Sequence, residues 1–447
     1  MRKLLFPVLC LLFLALLLMP LAGCDSRTYG AGADEVGSVG ASGSESDGGI
    51  GGNDSDGGSD SDSGNAGGEL TIAAFMENRY LEFAAQKYEE THDGVKINIT
   101  AYAGEERDIA KYSQIINTAL MSDKGEDIID VSYISWVKIA DKNKLLDLSN
   151  EINLTSDAYY KSVMDAFLYN GKRYAIPMGF AFEAFQYGEV MADSENASDL
   201  TLDKLISLSE RYPDTALFDG SGFGMGRVTL ASQLFSIDFD DYVDYSNKKA
   251  NIDGDKFISM LNDVRSIGDR LTIQKDGDVS LIRQLIVYSP VMCHRGTLDY
   301  TNMFLMTNAN GDSNFMAGGF LPAVNANSNN KRLTIDFMKF LISEEIQSSP
   351  ELSYCPVNKN AAAEAAKYIL ADTIAGGYEL EGWGEDNLER NSAIFDELAG
   401  KLTLIEYSDN FIREFASEEM ARFFQGEISA EDAAKNLQFR LDTYLNE

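Results

Sequence analysis

Short apolar runs and amphipathic stretches alternate along the chain from Glu69 onward. Leu70 to Phe75 is an apolar strand candidate, and Arg79 to Thr91 follows with Leu81, Ala84, Ala85 and Tyr88 on one face at helical spacing. Val95, Ile97 and Ile99 then alternate with Lys96, Asn98 and Thr100, the period of a half-buried strand. Tyr112, Ile115, Ile116, Ala119 and Leu120 form a second amphipathic face, and Asp127 to Val131 reads as another short buried strand. This β-α-β alternation predicts a sheet covered by helices on both faces. Asn170-Gly171, between Phe167-Leu168-Tyr169 and Arg173-Tyr174-Ala175, predicts a tight hairpin. Near the end, Gly426 can close one helix and Ser429 with Asp432 can cap the next. That last helix carries Ala430, Ala433, Ala434, Leu437, Leu441 and Tyr444 on one packing face.

One earlier run breaks the pattern. Arg2 and Lys3 precede an apolar stretch that ends in Leu21-Ala22-Gly23-Cys24. This segment resembles the lipobox of bacterial lipoproteins, which implies cleavage after small residues and a diacylglycerol anchor on Cys24. Residues 25–68 are almost entirely Gly, Ser, Asp, Glu, Ala and Asn, with no aromatic after Tyr29. So little apolar surface cannot offset the entropy of ordering, so a disordered tether is expected, reaching about 145 Å if fully extended. The expected layout is therefore a signal peptide over 1–23 and a lipidated Cys with its Gly/Ser/Asp tether over 24–68. Asn53-Asp54-Ser55-Asp56-Gly57 has the acidic spacing of a calcium loop, but no Glu closes a twelve-residue loop. No metal or other cofactor is expected.

Charge narrows the partners. The formal net charge is −34; Arg2 and Lys3 leave with the signal, and the tether holds nine acids against Arg27, which places −28 on residues 69–447. Such a surface repels phosphate backbones, so nucleic acid is excluded as a partner. Only Cys293 and Cys355 remain beyond Cys24, and two buried free thiols are expected there, although one bridge between them would be chemically allowed outside the cell. The chain has two histidines, His92 and His294, too few for a histidine-rich zinc site. From Glu69 the length exceeds what a single core comfortably serves, and no second Gly/Ser linker interrupts it, so two closely joined domains are expected.

Four segments resemble the extracellular solute-binding proteins of ABC importers, the broad family that contains maltose-binding protein. They are the opening strand, helix and strand from Glu69 to Ile99; Gly125 to Val131, leading to Leu145-Leu146-Asp147-Leu148; Gly171 to Pro177; and Leu321 to Glu345, continuing to Pro356-Val357-Asn358-Lys359. With the tail from Gly426, they span the chain in that family's order. The resemblance implies a two-lobed α/β periplasmic-binding-protein fold of type II, each lobe a mixed sheet flanked by helices, with a multi-strand hinge. Lobe one would comprise 69–178 plus 324–355 and lobe two 179–323 plus 356–447, with crossings near Met178 to Ala181, Leu321 to Asn325 and Pro356 to Lys359. It also implies a monomeric receptor, lipid-anchored on the outer face of the cytoplasmic membrane, that hands a small solute to permease subunits.

In open α/β sheets ligands sit beyond the carboxyl ends of strands, which points to the loops after the first and third strands. Glu77 and Asn78 lie in one, and Tyr133, Ser135 and Trp136 in the other. Sugars offer flat C–H faces ringed by hydroxyls, and aromatic plates with carboxylate, amide or Arg partners match them. Trp136 could instead pack at the start of its helix, and Asn78 could cap one. Phe180, with Phe182 and Glu183, follows the first expected crossing, where related receptors place a ligand contact. From lobe two, Arg295 stands where those receptors commonly carry an aromatic, and a guanidinium suits a carboxylate or phosphate as well as a hydroxyl pair. Trp383, in Gly382-Trp383-Gly384, completes the candidate set. No catalytic residue is assigned: G-x-S-x-G, H-E-x-x-H and Walker motifs are absent from the sequence, and abundant acids alone do not make a glycosidase. The expected function is capture of a sugar or oligosaccharide for transport, with ligand sensing or polymer binding on the same fold as the alternative.

Overall fold

A computed structural model describes residues 68–104, 107–154, 156–188, 191, 199–219, 225–268, 271–272, 280–293, 303–375, 385–405 and 409–447. Cys24, the tether, Arg295 and Trp383 lie outside the described residues. In chain order the strands are β1 (Glu69–Ala74), β2 (Lys96–Ala101), β3 (Ile128–Asp130), β4 (Leu168–Tyr169), β5 (Lys172–Arg173), β6 (Gly179–Tyr187) and β7 (Ala216–Phe218). There follow β8 (Val243–Asp244), β9 (Lys249–Ala250), β10 (Ser280–Val287), β11 (Ser313–Gly318), β12 (Pro322–Val324), β13 (Cys355–Pro356) and β14 (Leu402–Ile405).

The first sheet has the order β12-β3-β1-β2. β1 is parallel to both neighbours, whereas β12 runs antiparallel to β3, with Val324 opposite Ile128. The second sheet has the order β14-β11-β6-β10-β7, again mixed, and β13 also pairs with β6. Helices pack both sheets, and the apolar side chains form two large cores: one around the first sheet that also takes in Phe180, Phe182, Phe315 and Leu402 of the second, the other around β7, β10 and the far end of β6. Two separate cores joined by several strands are what a chain of this length needs.

Local signals account for the elements. The Arg79–Thr91 helix buries Tyr80, Leu81, Ala84, Ala85 and Tyr88, the expected apolar face. At the β4/β5 turn Asn170 and Gly171 have φ of 50° and 73°, the left-handed pair a two-residue hairpin of this twist demands. Ser429 caps the Ala430–Asn446 helix by accepting from the Asp432 amide at 3.0 Å, and its hydroxyl lies 3.0 Å from the Asp432 carboxylate.

The chain passes between the sheets at Met178–Gly179, between β11 and β12, and at β13. Gln347, fully buried, clamps two of these passages: its amide donates to the Met178 carbonyl at 2.7 Å and its carbonyl accepts from the Asn358 amide at 2.9 Å. β6 serves both ends of its sheet, pairing through Gly179–Ala181 with β11 and through Phe182–Tyr187 with β10.

Candidate functional site at the carboxyl ends of the first sheet

β1 and β3 point the same way, so the segments that leave them, Phe75–Asn78 and Val131–Ser135, emerge side by side. A buried carboxylate fastens them together. Asp130 accepts from the amides of Phe75 at 3.3 Å, Ser132 at 3.0 Å and Leu321 at 3.4 Å, and from the Ser132 hydroxyl. Burial raises its pKa, and these hydrogen bonds act against that rise. One side chain thus joins both loops to the strand returning from the second sheet.

The aromatic and polar groups above this anchor come from separate stretches of chain. The half-buried Tyr133 ring rests on Phe75, centroids 4.2 Å apart. Its phenol is pushed up to about 12, first by burial, then by Asp130 and Tyr354, while Arg107 and Arg413 pull it down. Asn78 caps the Arg79–Thr91 helix by accepting from the Leu81 amide at 2.9 Å, and its own amide donates to the Gly319 carbonyl. Asn78 is therefore both the helix cap and a tie to the crossing segment. Glu77 is exposed beside it.

Two expected ligand residues are corrected by their burial. Trp136 is 4% exposed in the first core, its ring against Phe167 and Tyr169. Phe180 is fully buried among Phe182, Phe315, Phe395 and Tyr160. Both face inward because the amphipathic start of a helix and the inner face of a strand bury large rings. The aromatics that remain partly open at these strand ends are Tyr133 and Tyr354.

A second buried carboxylate lies across from Ser135. Asp409, the cap of the Asn410–Phe424 helix, accepts from Tyr245 at 3.0 Å, from Tyr444 at 2.9 Å and from the amides of Phe411 and Ile412. The Ser135 hydroxyl is close enough to lower the Asp409 pKa, though not in hydrogen-bond alignment. Burial is the larger influence and raises it. From the helix that Ser135 opens, Lys138 donates to the Tyr444 carbonyl and sits 3.7 Å above the Tyr444 ring. Asp409 lines a small recess together with Ser232, Phe235, Ser236, Phe239, Arg413 and Ala416.

Asp130, Tyr354, Asp409 and Arg413 were missed from sequence. Asp130 carried a signal, a carboxylate inside the apolar Ile128-Ile129-Asp130-Val131 run; the others depend on long-range pairing. Cys293 and Cys355 are buried free thiols whose pKa values burial pushes up. Among the described residues no cluster of His, Cys, Asp or Glu could hold a metal ion, and no helix is long and apolar enough to cross a membrane.

Neither a protein-family model nor a curated protein matches the chain. Solved structures do. The sugar-binding protein MalE from Xanthomonas citri aligns with a TM-score of 0.56 at 13% identity, over 85% of this chain and 98% of that one. A cyclic alpha-maltosyl-1,6-maltose binding protein from Arthrobacter globiformis aligns at 0.54 and 16% identity, over 85% and 99%. An extracellular solute-binding protein of family 1 from Alicyclobacillus acidocaldarius aligns at 0.52 and 13%, again over 85% and 99%. At these identities the likeness is one of fold, and the chain has the two-lobed mixed α/β fold of the maltose-binding-like solute-binding proteins.

Proposed function

We propose that the protein is an extracytoplasmic receptor that holds a sugar or short oligosaccharide between its two lobes and passes it to an ABC permease. The observation that carries this reading is the meeting of the two loops at the carboxyl ends of β1 and β3, fastened together by Asp130. There Asn78, Tyr133 and the crossing segments converge, on a fold shared with the sugar-binding protein MalE of Xanthomonas citri and the cyclic alpha-maltosyl-1,6-maltose binding protein of Arthrobacter globiformis. The lobes, 69–178 plus 324–355 and 179–323 plus 356–447, close on the solute, with β12 and β13 straddling those limits. Solute contacts from both lobes supply the free-energy difference that favours closure. Glu77, Asn78 and Tyr133 line the first lobe's side, and Arg295 and Trp383 contribute from the second, while Ser135, expected there too, is buried beside Asp409. Cys24 carries the lipid that keeps the receptor at the membrane surface, and no bond of the solute is made or broken.

A thermal-shift screen of the mature chain against mono- and oligosaccharides, amino acids, polyamines and organic anions tests this. A ligand at a thousand times its Kd adds about 4 kcal/mol, a clear rise in Tm. A rise with sugars alone is the expected result; a rise with anions alone rejects the carbohydrate. For the anchor, Cys24→Ala should release the protein from the membrane fraction, and retention of that variant rejects the lipid.

A further inference from the structure

Besides the crossing strands, two elements of the first lobe reach two of the second. On the first lobe these are the Trp136–Asp141 helix and the β4/β5 hairpin, joined where the Tyr169 hydroxyl donates to Asp141 at 2.8 Å. On the second they are the β8/β9 hairpin and the end of the Ala430–Asn446 helix. The hairpin and the helix are strapped together repeatedly. The Ala250 amide donates to Asp442 at 3.1 Å, Gln438 accepts from the Ile252 amide at 2.6 Å and donates to the Ala250 carbonyl at 3.0 Å, and Asn446 donates to the Lys248 carbonyl at 3.2 Å. Tyr245 and Tyr444, one from each element, also share Asp409. The receiving side is therefore a braced unit.

Two contacts cross between the lobes here. The Lys138 ammonium, half-buried, donates to the Tyr444 carbonyl at 2.5 Å and stands 3.7 Å from the centroid of the Tyr444 ring. The Ser246 hydroxyl donates to the Asn170 carboxamide oxygen at 3.1 Å, at the tip of the β4/β5 turn. The lysine contact is the stronger of the two. The helix ends at Asn446, so the Tyr444 carbonyl belongs to the last turn, where no helical amide reaches it and the peptide dipoles gather negative charge. A cation from the other lobe fills that place, and the ring face beneath it adds a second attraction. Neither contact involves a solute.

Resting on the reading of a receptor whose lobes close, we infer that Lys138 is a clasp between them: it caps the last helix of the second lobe from the first and holds the lobes together before any solute is bound. Such a clasp acts on affinity without touching the solute. The apparent Kd is the intrinsic one divided by the fraction of receptor already in the binding-competent form, so a clasp that raises this fraction tightens binding. Opening to release the solute then requires the lysine to give up the carbonyl and the ring together.

Distances between two nitroxide labels, measured by pulsed dipolar spectroscopy on the Cys24→Ala chain without solute, test the clasp. Glu82→Cys places one label on the Arg79–Thr91 helix of the first lobe, and Ser266→Cys places the other on the Asp255–Ile267 helix of the second; both positions are exposed, while Cys293 and Cys355 are buried and escape labelling. The clasped chain should give one narrow distribution. Lys138→Met should add a population several ångströms longer, Lys138→Arg should keep the narrow one, and Ser246→Ala should shift it less than Lys138→Met does. In calorimetric titration with maltotriose, Lys138→Met should bind about threefold or more weakly. A Lys138→Met distribution that matches the parent overturns the clasp and leaves the receptor reading standing. A distance shift in a chain that binds no maltotriose upholds the clasp and counts against the sugar reading instead. Should Lys138→Met fail to fold, Lys138→Ala decides by the same two outcomes.

Discussion

Asp130 and Asp409 are both buried carboxylates beside the Tyr133–Ser135 stretch, and their surroundings differ in kind. Asp130 is held chiefly by backbone amides from three stretches of the first sheet's surroundings. Asp409 is held largely by hydroxyls, those of Tyr245 and Tyr444, with the Ser135–Lys138 stretch approaching from the first sheet. Backbone amides set at strand ends cannot turn away from their acceptor. Tyrosine hydroxyls can turn to water when neighbouring elements separate. Asp130 therefore ties the first sheet's strand ends to the crossing segment at Leu321, whereas Asp409 draws all of its hydrogen-bond donors, Tyr245, Tyr444, Phe411 and Ile412, from its own side of the molecule.

The sharpest way to break this contrast is Asp130→Ala. Three amides lose their buried acceptor at once, and the loss of stability should be about 3 kcal/mol or more, read as a lower urea midpoint. A loss no larger than that of an Asp409 variant would erase the distinction. Asp409→Asn keeps one acceptor oxygen for the tyrosines and should cost about 1 to 2 kcal/mol.

The pH dependence of the Asp409 variant sharpens the point further. Burial raises the folded-state pKa of Asp409, so protonation favours the fold. That contribution is fully present below the ordinary carboxylate pKa and is lost as pH rises through the raised one. The stability gap between wild type and Asp409→Asn should accordingly shift in favour of the wild type on going from pH 7.5 to pH 5. Paired urea melts measure it, and a gap moving the other way would mean the carboxylate is not raised. Smaller still, Lys138→Met removes the hydrogen bond to the Tyr444 carbonyl and the contact with its ring, for about 0.5 to 1 kcal/mol. Exposed Glu77→Ala should leave stability within about 0.5 kcal/mol, so any large effect of that variant on sugar titration reports contact with the solute.

What was legible in the chain was what local periodicity controls. The opening β-α-β unit, the Asn170-Gly171 hairpin and the last helix stand where their patterns put them, because each is decided within a dozen residues. The Tyr133–Trp136 loop shows the limit. Its position beyond β3 was readable from sheet logic, but which ring turns inward was not, since Trp136 opens a helix whose apolar face meets the core and Tyr133 does not. Tyr354 was out of reach altogether: the place it packs into exists only once Gly179, Gly318 and Pro356 have been brought together from three distant parts of the chain.

The pairing of β12 with β3 also sets an order of events during synthesis. Ile128 leaves the ribosome long before Val324, its partner across the ladder, so the first sheet begins life with one side of β3 unpaired. Until residues 322–324 arrive, that edge can template on another chain, and closing the ladder requires a contact of very high sequence separation. A nascent chain stalled within the second sheet would carry an almost finished first core with an open flank. Such a species is the one from which aggregation should start, and the one a holding chaperone should cover.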